Sequence, residues 1–143
     1  MKELHILLVE DSPEDVMLTK LAFDRSKVPT SITVAVNGEE CLAYLRQQGE
    51  YAKSPLPDLI LLDLNMPKVN GKQVLEAVKY DDKLKHIPII VLTTSLAERD
   101  IEDSYKRHAN SYLAKPMDFN EFIALVEHIE QFWFDMVKLP KND

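Results

Sequence analysis

The sequence has very little cysteine, no long apolar run and no cluster of basic residues. Cys41 is the only cysteine among 143 residues, which rules out an intrachain disulfide and leaves no thiolate metal site. Its apolar neighbours predict a small buried side chain there. No apolar run approaches the ~20 residues that a membrane-spanning helix needs. A net charge of -7 argues against sequence-independent DNA binding, which requires a clustered basic surface.

What is present is an ordinary globular composition, with 45% hydrophobic and 29% charged residues. The length suits one compact domain and is too short for two ordinary ones. The amino terminus, MKELHILLVEDS, turns acidic before a cleavable signal peptide would be complete. We therefore expect a cytoplasmic protein with no membrane or nucleic-acid partner.

Short apolar runs alternate with amphipathic stretches along the whole chain. The runs are too short for helices and predict buried strands at residues 4–10, 31–36, 58–63, 87–93 and 111–115. Helix-capping residues follow them: Ser12, Asn37, Asn70, Ser95 and Asp118. In the first helix, predicted to run to about residue 26, we expect Met17, Leu18, Leu21 and Ala22 to form the buried face. Residues 47–57 contain Gly49, Pro55 and Pro57 and predict a loop.

Five successive strand–helix units predict an α/β fold, a doubly wound parallel sheet with helices on both faces. In such sheets the functional site lies beyond the carboxyl ends of the strands, near the point where the strand order reverses. The residues at the strand ends are therefore the ones to inspect for chemistry.

Carboxylates, hydroxyls and one ammonium group collect at those ends: Glu10, Asp11, Asp63, Thr93, Thr94 and Lys115. Three carboxylates so close together repel one another unless a cation lies between them. With only oxygen ligands in reach, a hard ion such as Mg²⁺ is favoured, and Mg²⁺ sites commonly complete their shell with phosphate oxygens. An ionised Asp63 can attack phosphorus to give an aspartyl phosphate, while Lys115 and a hydroxyl neutralise charge on the transferring oxygens.

Each residue also has a plainer interpretation. Asp11 by itself is more often a helix cap, Thr93 an ordinary strand residue and Lys115 a solvated charge. Their convergence at the ends of four strands favours the chemical interpretation.

Four segments resemble the receiver domain of two-component response regulators: LLVEDS, DLILLDLNMPKVNG, IPIIVLTTS and SYLAKP. The resemblance covers about residues 4–137. It implies a flavodoxin-like (βα)5 sheet with strand order 2-1-3-4-5, a receiver domain over residues 1–137, and a short tail at 138–143 with no output domain. It also implies a receiver that catalyses its own phosphorylation and dephosphorylation and is not a turnover enzyme.

The resemblance assigns a role to each matching position. Asp63 matches the phospho-acceptor, Asp11 the direct metal ligand, and Glu10 a neighbouring acid that acts on the metal through water. Asn65 matches the position whose backbone carbonyl ligates Mg²⁺ and whose side chain influences phosphoryl loss. Lys115 matches the lysine that pairs with phosphate, and Thr93 the hydroxyl that moves to meet it.

The remaining matches concern switching and access. Tyr112 matches the aromatic switch residue, and Gly71 a glycine that lets the loop pack closely. Pro116 matches a proline usually preceded by a cis peptide bond, which would aim Lys115 into the site. Thr94 stands where a smaller residue is frequent, so it would crowd access to the phosphate. The implied switch surface comprises the fourth predicted helix, the fifth strand and the last helix.

A finer likeness is to the small response regulators paired with cyanobacterial and bacterial phytochromes. It rests on the enlarged loop at 47–57, on LTTS and on the final FWFDMVKLP, although Pro116 departs from many of these proteins. It implies a phytochrome-type sensor histidine kinase as partner, an unidentified downstream protein and a homodimer. Phe132, Trp133, Phe134 and Met136 cannot all share one helix face, which leaves some of them for a contact patch or for the sheet edge.

Three other functions are each disfavoured by particular residues of the sequence. A phosphatase using an aspartyl phosphate would need a second acid where Asn65 stands. A flavin carrier on the same fold would need a phosphate-binding loop where Glu10 and Asp11 would repel the flavin phosphate. A receiver that works without phosphate is disfavoured, because Asp11, Asp63, Thr93 and Lys115 are all present.

Overall fold

The computed structural model describes residues 3–26, 28–64, 70–93, 105, 111–116 and 118–137, although not the side chains of 111 and 132–137. The predicted alternation of strands and helices is confirmed over this part of the chain. The elements, in order, are β1 (Leu4–Val9), α1 (Pro13–Asp24), β2 (Thr30–Ala35), α2 (Gly38–Leu45), β3 (Leu59–Leu62), α3 (Gly71–Lys79), β4 (Ile89–Thr93), β5 (Ser111–Ala114) and α4 (Phe119–Val137). The helix predicted to begin at Ser95 lies almost wholly outside the described residues.

The sheet has five strands in the order β2-β1-β3-β4-β5, and every pairing is parallel. The predicted α/β class and the strand order 2-1-3-4-5 are therefore confirmed. Because β1 lies between β2 and β3, the strand order reverses there, which opens a crevice at the carboxyl ends of β1 and β3. The register pairs Val9 with Leu62 and Thr93 with Ala114, so the strands end almost level with one another.

Two apolar cores cover the two faces of the sheet, as expected for a doubly wound fold. Alternate strand residues such as Leu7 and Ile60 pack with α2 and α3. The intervening residues, such as Ile6 and Leu61, pack with α1 and α4. Cys41 is fully buried in the first core, as predicted.

The buried face of α1 differs from the prediction. Ala22 is buried as expected, but Met17 and Leu21 are exposed, and Phe23 lies in the core instead. Phe23 shares its core with residues of α4. The long-range contact between these two helices sets the rotation of α1, and the local apolar spacing does not contain that information.

The predicted helix starts are confirmed in the described residues. Side-chain oxygens of four residues accept from the backbone N–H three positions ahead: Ser12, Asn37, Asn70 and Asp118. The loop predicted at residues 47–57 contains one 3₁₀ turn, Gly49–Tyr51, whose Tyr51 ring packs edge-on against Tyr44 at 5.3 Å between centroids. No helix within the described part of the chain is long and apolar enough to span a bilayer.

Candidate functional site

The acidic residues predicted for the site are brought together by the ends of β1 and β3. The backbone N–H of Asp63 donates to the carbonyl of Val9 at 3.0 Å, and that of Glu10 donates to the carbonyl of Ala35 at 2.9 Å. These bonds continue the sheet ladder by one residue beyond the strands. The carboxyl groups that follow therefore start from adjacent, fixed backbone positions.

Glu10, Asp11 and Asp63 form a compact acidic cluster. One carboxylate oxygen from each lies within 4.8 Å of the others. Glu10 and Asp63 are buried, whereas Asp11 is exposed and leaves the cluster open on one side. Ser12, and not Asp11, caps α1, so the plainer interpretation of Asp11 as a helix cap does not apply. Three hard oxygen donors at this spacing suit a small divalent cation.

Lys115 projects its ammonium group into the same cluster from the end of β5. Its Nζ lies 2.6 Å from Glu10 Oε1, 2.7 Å from Asp15 Oδ2 and 3.2 Å from Asp63 Oδ2. The Lys115 side chain is only 8% exposed. The interpretation of Lys115 as a solvated charge is therefore wrong.

Burial and charge shift the pKa values of two of these groups in opposing ways. Burial raises the pKa of Glu10 to about 7, although its hydrogen bond to Lys115 acts in the lowering direction. Burial acts to lower the pKa of Lys115, but hydrogen bonds to Asp15 and Glu10 and the charge of Asp63 outweigh it and raise that pKa. Lys115 is therefore held in its charged form, whereas burial disfavours the charged form of Glu10.

Thr93 and Tyr112 lie where the sequence places them, on β4 beside β3 and on β5 beside β4. Thr93 is fully buried at the end of β4, and its carbonyl accepts from the backbone N–H of Lys115 at 3.0 Å. Tyr112 is half-buried in β5 opposite Val91 and packs against the core on the α3 side.

Gly71 fixes how closely α3 approaches the end of β3. A Cβ atom at this position would lie 2.6 Å from both the carbonyl oxygen of Asp63 and the Cα of Leu64. The Gly71 N–H donates to the Leu64 carbonyl at 3.2 Å. The expectation that a glycine is needed here for close packing is consistent with this geometry.

One expectation about the site is wrong, and two others concern residues outside the described part of the chain. The peptide bond before Pro116 is trans, since the described residues contain no cis peptide. Lys115 reaches the cluster without it, because its backbone is held by Thr93 and its long side chain spans the remaining distance. Asn65 and Thr94 lie outside the described residues.

Asp15 is a residue of the site that was not predicted from the sequence. Its carboxylate makes a shorter contact to Lys115 than Asp63 does. The available signal was its place in the first turn of the helix that directly follows β1. Such a turn lies beside the carboxyl edge of the sheet.

Known proteins are similar to this chain over nearly their whole length. Response regulator Rcp1 of Synechocystis sp. is 44% identical over 135 residues, which are 94% of this chain and 92% of that protein. The phosphorylated cyanobacterial phytochrome response regulator RcpA superposes with a TM-score of 0.89 at 44% identity, covering 94% of this chain and 96% of that one.

A further solved structure, the Mn²⁺-bound form of Rcp1, matches with a TM-score of 0.86 at 44% identity and covers 95% of this chain and 98% of that one. A divalent metal is therefore bound by a protein with the same fold, in keeping with the acidic cluster seen here. The family model for the response regulator receiver domain matches residues 6–127. This chain, with its acids and lysine gathered at the carboxyl edge of a five-stranded parallel sheet, belongs to the response regulator receiver domain family.

Proposed function

We propose that this receiver is switched when Asp63 accepts a phosphoryl group from the phosphohistidine of a sensor histidine kinase. The observation that carries the proposal is the Lys115 ammonium, 3.2 Å from Asp63 Oδ2 inside the acidic cluster. A buried carboxylate beside a fixed cation is poised to attack phosphorus and to have the transferring oxygens neutralised.

In the step itself, an Asp63 carboxylate oxygen forms a bond to phosphorus while the P–N bond to imidazole breaks. The imidazole leaves with the bonding electron pair. No general base is required, because the attacking oxygen is already ionised. Water later attacks the same phosphorus while the P–O bond to Asp63 breaks, which releases phosphate and regenerates the Asp63 carboxylate. The domain thus promotes its own phosphorylation and dephosphorylation without turning over a separate substrate.

The metal in this proposal is Mg²⁺, held by Glu10, Asp11, Asp63 and the backbone carbonyl of Asn65. Bound there, the ion supplies positive charge that offsets the repulsion among the carboxylates and the phosphoryl oxygens. The chemistry of the donors supports this assignment, because the described ligands are all carboxylate oxygens.

The switch in this proposal consists of Thr93 and Tyr112. The Thr93 hydroxyl meets the phosphoryl group and Tyr112 turns inward, while Thr94, Asn65 and Pro116 tune access and phosphoryl lifetime. The half-buried state of Tyr112 supports it, since part of the Tyr112 surface is still exposed and can be buried by an inward turn.

The surface that would report this change includes a groove between β5 and α4. It begins beside Lys115 and Pro116 and is also lined by Ala114, Glu121, Leu125 and His128. Because Lys115 belongs both to the site and to the groove wall, a movement of the Lys115 side chain would change the shape of the groove.

Incubation with acetyl phosphate and Mg²⁺ tests the assignment of Asp63. We expect one added phosphoryl group by intact-protein mass spectrometry, and none in Asp63→Asn. Asp82→Asn is the matched control, because Asp82 is exposed, lies in the connection between α3 and β4, and pairs with Lys85. Labelling that persists in Asp63→Asn, or that disappears in Asp82→Asn, would contradict the proposal.

The proposed partner is a phytochrome-type histidine kinase, supported by the likeness to RcpA, a phytochrome response regulator. The chain is also proposed to form a homodimer through its last helix, because the sequence spacing of Phe132, Trp133, Phe134 and Met136 does not let all four share one helix face. Phosphotransfer profiling against purified sensor kinases tests the first proposal. Light scattering after size-exclusion chromatography tests the second, and a monomer at high concentration would refute it.

A further inference from the structure

Lys115 is shared among three carboxylates, and the nucleophile has the longest of the three contacts. An ammonium group has three N–H donors. Glu10 and Asp15 accept at 2.6 and 2.7 Å, and Asp63 at 3.2 Å. Asp15 therefore accepts from one of the three N–H donors of Lys115, although the family resemblance assigns it no role.

Two side chains form hydrogen bonds with the backbone of Asp15. It lies in the first turn of α1, where Pro13 fixes the start of the helix and Ser12 Oγ accepts from the Asp15 N–H at 3.3 Å. The hydroxyl of Thr19 donates to the Asp15 carbonyl at 2.7 Å. The positive end of the helix dipole favours a charged carboxylate at this position. The Asp15 side chain therefore extends from a hydrogen-bonded backbone position in the first turn of α1.

Asp15 also differs from the other two partners in its surroundings. Glu10 and Asp63 belong to the cluster with Asp11 whose oxygens lie within 4.8 Å, so both are shared between the lysine and any cation at the site. Asp15 lies outside that cluster, and its side chain is 30% exposed, against 4% for Glu10. Its contact with Lys115 is the one that does not compete with a cation.

We propose that Asp15 is a positioning residue for phosphoryl transfer, which anchors the Lys115 ammonium beside Asp63 so that the charge is in place when the transferring oxygens need it. The inference rests on the proposed function and names a residue of the same site. Lysine has a flexible side chain, and a single fixed partner removes most of the orientations that would carry its ammonium away from Asp63.

With acetyl phosphate as donor, an Asp63 oxygen–phosphorus bond forms while the P–O bond to the acetyl group breaks. Acetate leaves with the electron pair, and no proton transfer is required. Lys115 donates to oxygens of the phosphoryl group that is transferred in this step. A misplaced ammonium therefore lowers the rate at saturating donor more than it changes the donor concentration giving half-maximal rate.

The test is a double-mutant comparison of phosphorylation rates, using acetyl phosphate and Mg²⁺ with the full chain. The variants are Asp15→Asn, Lys115→Ala and the pair together. Glu14→Gln is the matched control, because Glu14 carries the same charge in the same helical turn and is exposed. We expect Asp15→Asn to slow saturated labelling by about 3- to 10-fold and to have no further effect when Lys115 is alanine. Glu14→Gln should label like the unchanged protein.

An equal loss in both lysine backgrounds, or no loss in either, would overturn the inference, because either result means that Asp15 does not act through Lys115. If the unchanged protein is not labelled at all, the proposed function fails first. Labelling of Asp63 without coupling to Asp15 refutes the inference alone.

A second measurement does not depend on phosphorylation. Side-chain ¹⁵N NMR should detect a slowly exchanging Lys115 ammonium in the unchanged protein and in Glu14→Gln, and a fast-exchanging one in Asp15→Asn. The same signal in all three proteins would refute the anchoring. Where Lys115→Ala labels too slowly for its rate to be measured, this comparison decides.

Discussion

At the scale of single residues, the absence of a side chain at Gly71 lets α3 approach the end of β3, which carries Asp63. The end of β3 and the start of α3 approach so closely that a methyl group would overlap backbone atoms of Asp63 and Leu64. Backbone atoms cannot rotate away as a side chain can, so any larger residue displaces the segment that carries Asp63.

Gly71→Ala is expected to destabilise the fold by about 1–3 kcal/mol through this overlap and to slow labelling of Asp63. Gly49→Ala is the comparison, since Gly49 has a φ of 56° but nothing within 4 Å of an added Cβ. It should cost about 1–2 kcal/mol from backbone strain and leave labelling unchanged. Urea unfolding and acetyl phosphate labelling measure the two effects, and normal labelling of Gly71→Ala would contradict the proposed displacement.

Cys41 gives a second prediction at this scale. Its side chain is fully buried, and burial raises the pKa of the thiol to about 12. Because the thiolate is the reactive form, we expect Ellman's reagent to leave the folded protein unmodified and to react once it is unfolded in guanidinium. Rapid reaction of the folded protein would show that α2 opens more readily than the packing implies.

At the scale of secondary elements, the helix starts fix the side chains at the sheet edge. Asn70 and Gln73 form a reciprocal capping box, in which each side chain accepts from the backbone N–H of the other residue at 3.0 and 2.9 Å. This cap begins α3 one residue before Gly71, and so fixes where the helix meets the end of β3.

Asn70→Ala is expected to lower the free energy of unfolding by about 1 kcal/mol, since the first N–H groups of α3 lose their acceptor. Asn70→Asp should restore that stability, because a carboxylate accepts the same hydrogen bond and is favoured at a helix amino terminus. Chemical denaturation of the three proteins measures the difference. Equal stability of the alanine and aspartate variants would mean that the cap contributes nothing.

At the scale of the whole molecule, the three carboxylates of the site repel one another, and a cation bound between them would reduce that repulsion. The acids come from β1 and β3, so their crowding opposes the pairing that closes the sheet. The unfolded chain keeps these acids apart and has no such site. A divalent cation should therefore bind the folded state selectively and stabilise it.

Mg²⁺ at ten times its dissociation constant is expected to stabilise the fold by about 1.4 kcal/mol, and so to raise the melting temperature by about 3–6 °C. Asp11→Asn should reduce this rise, because it removes the exposed ligand of the cluster. Asp82→Asn, which is remote from the cluster, should keep it. Differential scanning calorimetry with and without Mg²⁺ measures the shift, and an equal rise in both variants would place the cation elsewhere.

Most of the site could be predicted because strand ends are visible in a sequence. The apolar run before Glu10 and the one before Asp63 each end on an acid, and parallel strands bring their carboxyl ends to one edge. Asp15 could not be predicted in the same way. Its contact with Lys115 joins residues separated by 100 positions, and no local pattern specifies a pairing at that distance.

The sequence by itself determined the α/β class, the helix starts and the acids around Asp63, because periodicity, capping and strand ends are local properties. Only the tertiary structure decided that Phe23, and not Leu21, enters the core, and that Lys115 is divided among three carboxylates. These outcomes depend on how α1 packs against α4 and on how β5 pairs with β4. They are set by packing between distant segments, where the free energy of burial outweighs local preference.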